Sequence, residues 1–170
     1  MFKATAFLLV LAGWVLYAEP TLARAELSTS YRQDMGSAKL TLSSSICADN
    51  PECTVATLTC GHYNSISLMM GGFSNDDVGR WLLLNGLLLT LKNGANALPM
   101  MPVLIEFGDL DSDWSITFVA SGNAQMWLRA LDFDKDIVVN NIQDDLLLPR
   151  KDEDLLNLKS FAKFCSETVH

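Results

Sequence analysis

Histidine is the scarcest reactive group in this chain: only His62 and His170 occur. Nucleophilic catalysis needs a base within reach of its Ser or Cys, so such chemistry would have to rest on these two residues. His170 is the last residue and is expected to be mobile. His62 lies in Cys60-Gly61-His62-Tyr63-Asn64, which reads as a strand-to-strand turn, and is expected to be a surface turn residue. Basic side chains are also few, with 12 Lys and Arg against 20 Asp and Glu and a net charge of −8. That balance argues against nucleic acid, whose binding rests on Lys and Arg neutralising phosphates, and against adhesion to anionic lipid. There is no Cys-x-x-Cys spacing of the kind zinc sites use. Gly71-Gly72 and Ser121-Gly122-Asn123 lack the Lys or helix-start Ser/Thr of a phosphate loop and read as tight turns. No repeats or low-complexity tracts break the chain.

What is present begins with an export pattern. Met1-Phe2-Lys3 carries one positive charge, and an apolar run follows from Ala4 to Ala18, interrupted by Thr5 and Gly13. The run is too short for a bilayer, which needs roughly 20 apolar residues. Glu19-Pro20 stops it, and Ala23-Arg24-Ala25 is a small-x-small cleavage site. Residues 1–25 therefore read as a signal peptide. The residue directly after the cleavage site is Glu26 and not Cys, which argues against a lipid anchor, and no second long apolar run follows, so no integral membrane segment is expected after signal removal. Without Lys3, Glu19 and Arg24, the remaining chain has 10 basic and 19 acidic residues and a net charge of −9. Its length fits one domain.

All four cysteines, Cys47, Cys53, Cys60 and Cys165, follow the signal. An even count in an exported chain points to disulfides, and four cysteines allow three pairings. Ala48-Asp49-Asn50-Pro51-Glu52 is turn-forming sequence that favours a local Cys47–Cys53 bond. Cys60–Cys165 would then tie the early strands to the last helix. Closing so long a loop is worth about 4–5 kcal/mol in the chain-entropy model.

Along the chain, residues 26–37 are polar and read as a flexible lead-in to a domain over 38–170. From Lys39 apolar residues alternate: Leu40 and Leu42, then Val55 to Cys60, then Ile66, Leu68 and Met70. Such period-two segments read as antiparallel strands. The stretch 74–94 has two readings. As a helix it would start at Ser74 with Asp76 and Asp77 in the first turn. As a hairpin it would turn at Asn85-Gly86 and again at Asn93-Gly94. Gly79 and Gly86 would each cost a helix about 1 kcal/mol, and the hairpin is favoured. Val103 to Phe107, bounded by Pro102 and Gly108, is a strand, and Trp114 to Val119 is its partner. Asn123 to Leu131 is a helix and Ile137 to Asn140 a short strand. After Pro149, Leu155, Leu158, Phe161, Ala162 and Cys165 recur at helical spacing. The fold expected is α+β, mainly antiparallel sheet, with a helix near 123–131 and a disulfide-tethered C-terminal helix.

Candidate ligand sites are few. Asp109-Leu110-Asp111-Ser112-Asp113 and Asp132-Phe133-Asp134-Lys135-Asp136 have the alternating carboxylates of a calcium loop. The loop pattern also needs Gly at its sixth place and Glu at its twelfth. Those places hold Trp114 and Ala120 in one, Ile137 and Gln143 in the other, so both read as solvated turns. Met69-Met70 and Met100-Met101 could suggest copper(I). Neighbouring residues on a strand face opposite ways, so neither pair can chelate together and core filling is expected. Trp81, Trp114 and Trp127 lie in apolar segments and are expected mostly in the core. A glycosidase could use paired carboxylates, but 19 acidic residues supply pairs by chance. No catalytic residue, metal or cofactor is assigned.

In layout the chain resembles the small exported bacterial envelope proteins of the invasion-associated locus B group. The signal peptide, early Cys60, the strand Val103 to Phe107 and the closing Leu155 to Cys165 helix carry the likeness. A Cys47–Cys53 pair and the Leu-rich insert at 81–91 depart from it. The resemblance implies a role in envelope integrity or host interaction. From the residues, a non-enzymatic binding or inhibitory protein of the periplasm or extracellular space is expected, its partner an unidentified protein or glycan. An envelope accessory or scaffold subunit and a small hydrolase are the alternatives. Intact and non-reduced peptide mass spectrometry should find Glu26 at the N terminus and four hydrogens missing from the reduced mass; a retained Met1 with free thiols would refute export.

Overall fold

A computed structural model of the protein describes residues 27–44, 54–61, 65–79, 88–108, 113–140 and 145–167. Their strands form one antiparallel sheet with helices on one face. In chain order the strands are β1 (Leu27–Asp34), β2 (Ser37–Ser44), β3 (Thr54–Cys60), β4 (Ile66–Phe73), β5 (Leu89–Asn93), β6 (Asn96–Phe107), β7 (Trp114–Ala120), β8 (Ile137–Asn140) and β9 (Leu146–Leu147). The helices are α1 (Ala124–Arg129) and α2 (Asp152–Glu167). Across the sheet the order is β1-β2-β3-β4-β7-β6-β5-β8-β9. The meander β5–β6–β7 is thus inserted back to front between β4 and β8.

The period-two pattern fixes which face is buried. Leu40, Leu58, Leu68 and Phe118 lie opposite one another across β2, β3, β4 and β7, and all four are buried. A one-residue slip would turn that whole row to solvent. Leu58, Ile66 and Leu91 of the sheet meet Trp127 and Leu128 of α1 and Leu158 and Phe161 of α2. Asn123 caps α1, its Oδ1 accepting the Met126 N–H at 2.9 Å. Cys60 of β3 is bonded to Cys165 in the last turn of α2, as the helical spacing of the apolar stripe implies. The antiparallel sheet, the helix near 123–131 and the disulfide-tethered C-terminal helix are all observed. The Cys47–Cys53 pairing lies outside the described residues.

Two expectations are corrected. Residues 27–34 are not a flexible lead-in but the edge strand β1, paired along its length with β2. Gly36, with φ of 81°, turns the chain between them, and Leu27 and Tyr31 pack on the core. Long-range bonds hold its outer edge. The Thr29 N–H donates to Asp154 Oδ1 at 2.6 Å, Thr29 Oγ1 donates to the same oxygen at 2.9 Å, and Asn157 Nδ2 donates to the Thr29 carbonyl at 3.0 Å. Two side chains of α2 thus do for β1 what another strand would.

The segment 74–94 is described only at its two ends. Residues 75–79 form a helical turn closed by a capping box. The Asp77 N–H donates to Ser74 Oγ at 3.2 Å, while Ser74 N–H and Oγ donate back to Asp77 Oδ2. The Asn85-Gly86 turn lies outside the described residues. Asn93-Gly94 does turn the chain, joining β5 to β6. A Cβ on Gly94 (φ 58°) would meet the Lys135 side chain at 2.7 Å.

Strand β6 also starts earlier than its prolines suggest, at Asn96. The Pro99 carbonyl accepts the Ser121 N–H at 3.0 Å, so Pro99 faces the β7 side, just past the end of β7. Pro102 faces the other way, past the start of β5, next to the register shift between Pro102 and Leu104. Neither missing N–H removes a ladder bond.

Asp154 is 4% exposed, and its carboxylate holds the outer edge of β1. Asp154→Ala should lower unfolding free energy by about 1.5–3 kcal/mol, the range for buried hydrogen bonds to a charged group, measured by urea titration; a loss below about 0.5 kcal/mol, a typical surface value, would show that the clamp carries little weight.

Candidate interaction surface

The two ends of β6 differ. Its first half, Asn96 to Met100, is laddered to β5, and β7 reaches it only at Met100 and through the Ser121 N–H to Pro99; β5 has 5 residues against 12 in β6 and begins opposite Met100. From Met101 to Phe107 the strand has a ladder on the β7 side alone among the described residues. Gly108 N–H donates to the Asp113 carbonyl at 2.9 Å. Because successive residues of an antiparallel strand point their polar groups to alternate sides, Glu106 faces β7, while Ile105 and Phe107 present N–H and C=O to the open side.

The side chains of this arm are apolar and exposed: Met101 47%, Val103 58%, Leu104 48%, Ile105 40% and Phe107 46%. Ile105 lies opposite Ile116, and Phe107 opposite Trp114, so both point to the helix-bearing face. Leu104 lies opposite Thr117 and points to the other, as does exposed Met69 of β4. The Phe107 and Trp114 rings meet at 5.0 Å and 57°, and Trp114 pairs across with Phe73. Trp114 Nε1 donates to Asn75 Oδ1 at 2.5 Å, so the helical turn at 75–79 orients the indole. Glu106 is the arm's one charged residue. Contiguous exposed apolar surface of this kind marks interaction sites.

The residues singled out from sequence do not converge here. His62, His170, Trp81, Asp109 and Asp111 lie outside the described residues. The turn Asp132 to Asp136 is built by Asn93, which is 1% exposed. Asn93 Oδ1 accepts the Asp132 N–H at 2.7 Å, and Nδ2 donates to the Asp132, Lys135 and Asp136 carbonyls at 3.0–3.3 Å. Its charges are used internally: Lys135 pairs with Asp132 at 2.9 Å and Arg150 with Asp136 at 3.1 Å. The Lys135 bond, joined by the Asp134 N–H, holds the Asp132 carboxyl below the usual carboxylate range. Among the described residues, no three His, Cys, Asp or Glu side chains are grouped to hold a metal. The methionine pairs split as strand alternation requires, with Met70 and Met100 buried and Met69 and Met101 exposed. Trp127 is in the core, while Trp114 lies half-buried in the arm.

The sequence did contain a signal for the arm. From Met100 to Ile105 the chain is apolar without alternation, a pattern usual for a strand covered on both faces. Here Met100 is buried, but Met101, Val103, Leu104 and Ile105 are exposed on both faces. No family model, curated protein or solved structure matches this chain.

Replacing Val103 and Leu104 together by Ser should leave the melting temperature within about 2–4 °C, as surface changes do, and should lower the fluorescence of bound 8-anilinonaphthalene-1-sulfonate. Unchanged dye binding would place the exposed apolar surface elsewhere.

Proposed function

We propose that this is an exported, non-enzymatic protein that works by docking on another protein through the β6 arm, as an accessory or scaffold subunit of a bacterial envelope assembly. One observation carries the reading: among the described residues the half of β6 beyond β5 is paired on the β7 side only, and its apolar side chains are exposed on both faces. A free-standing binding or inhibitory protein would use the same surface, but an extended apolar edge suits lasting assembly better than transient contact.

Export is supported by the signal-like residues 1–25 and by the Cys60–Cys165 bond, since disulfides persist in oxidising compartments such as the periplasm. No helix among the described residues is long and apolar enough to cross a membrane.

A photo-cross-linking amino acid placed at Leu104, and in a control at exposed Lys39 of β2, separates docking from random collision. In cells of the native host, Leu104 should give a discrete adduct with one protein that Lys39 does not. The same products from both positions, or none from either, would overturn the proposal.

A further inference from the structure

We infer that the occupant of this surface is an extended strand of another protein that adds to the open edge of β6, apolar on both of its own faces and carrying a basic side chain across from Glu106. The inference deepens the docking role proposed above and rests on it.

The backbone supplies the first argument. Ile105 and Phe107 each turn an N–H and a C=O away from β7, and among the described residues nothing meets them. The outer edge of β1 shows how this fold treats an edge that receives no strand: Asp154 and Asn157 bond the Thr29 N–H and carbonyl. Along 101–107 no such side chain intervenes among the described residues. A helix or a lipid surface would leave those amides without partners, whereas an added strand bonds them in register and places alternate side chains on both faces.

The length of the site follows from its ends. Leu89 of β5 closes one end opposite Met100, and Gly108 begins the turn at the other. Pro102 and the adjacent register shift remove donors near the β5 end, so the bonds concentrate at Ile105 and Phe107.

Charge selects the partner. The chain carries −8 overall, and Glu106 is the arm's one charge. A second copy would set two acidic proteins edge to edge with no cation on either arm. A strand with Lys or Arg beside Glu106 meets a complementary charge, and such cross-strand pairs are favourable while like charges are not.

A displayed library of random peptides, selected on the purified, disulfide-bonded protein, tests this directly. Enriched peptides should alternate two apolar faces around a Lys or Arg. Ile105→Pro removes one outward N–H without touching the β7 ladder, so it should weaken their binding about tenfold with the melting temperature little changed. Ile105→Val keeps the N–H and should keep the binding. Glu106→Pro, which does remove a β7 bond, is the contrast that lowers the melting temperature. Peptides with helical periodicity, or binding that survives Ile105→Pro, would overturn strand addition while leaving the docking role to the Leu104 cross-link. No enrichment at all would overturn it too, because an open edge bonds the backbone of many sequences. A dimer in sedimentation that Ile105→Pro dissolves would make a second copy the occupant, against this inference.

Discussion

The helix-bearing side of this protein takes its arrangement from the way α2 is held at both ends. At its last turn Cys165 is bonded to Cys60 of β3; in its first two turns Asp154 and Asn157 grip Thr29 of β1. Between these anchors Leu158, Phe161 and Ala162 are buried against the sheet. The position of α1 follows in turn, since Gln125 and Arg129 donate to the Ser166 carbonyl at 2.8 and 3.0 Å. A covalent bond at one end and a charge-assisted clamp at the other leave the helix one seat. The core therefore closes around a fixed axis and does not rely on apolar contact alone to choose the docking angle.

The parts legible in the sequence are those where local pattern and burial agree. Leu40, Leu42, Ile66, Leu68 and Met70 alternate and are buried, and the stripe from Leu158 to Cys165 has helical spacing and lies on the sheet. Where long-range bonds decide, the pattern misleads. Ser28, Thr29 and Ser30 look like linker because the groups that order Thr29 come from a helix 125 residues away. Pro99 and Pro102 look like strand ends because their harmlessness depends on where β5 and β7 stop. Asn93 looks like a turn residue but is the last residue of β5, paired with Asn96 across the Gly94-Ala95 turn, and its side chain builds another turn at Asp132 to Asp136, which no spacing announces.

The candidate site was the least legible feature for a related reason. Runs of apolar residues normally mean burial, and Met100 to Ile105 give no local hint that the run outlasts its neighbour β5. Only the relative lengths of two strands turn part of that run into surface. The same fold that bonds the β1 edge through Asp154 and Asn157 thus leaves the far half of β6, among the described residues, with a ladder on the β7 side alone and apolar side chains around it.

The inverted meander constrains how the chain can assemble. Strands β4 and β5 are consecutive in sequence but separated in the sheet by β7 and β6, and β7 and β8 are separated by β6 and β5. Hairpin by hairpin, β1 to β4 can form early from local contacts, and so can β5 to β7. The junction of β4 with β7 must wait until a whole hairpin has been made and turned over. Such non-local pairings slow folding because loop closure precedes any gain. For a chain delivered from its N terminus, the edge of β4 therefore stays open until β7 emerges, and the sulfur of Cys60 must remain unclaimed until the last helix brings Cys165 to it. Because Cys165 lies 105 residues beyond Cys60, that bond joins the helix to a sheet whose strands all precede it in the chain.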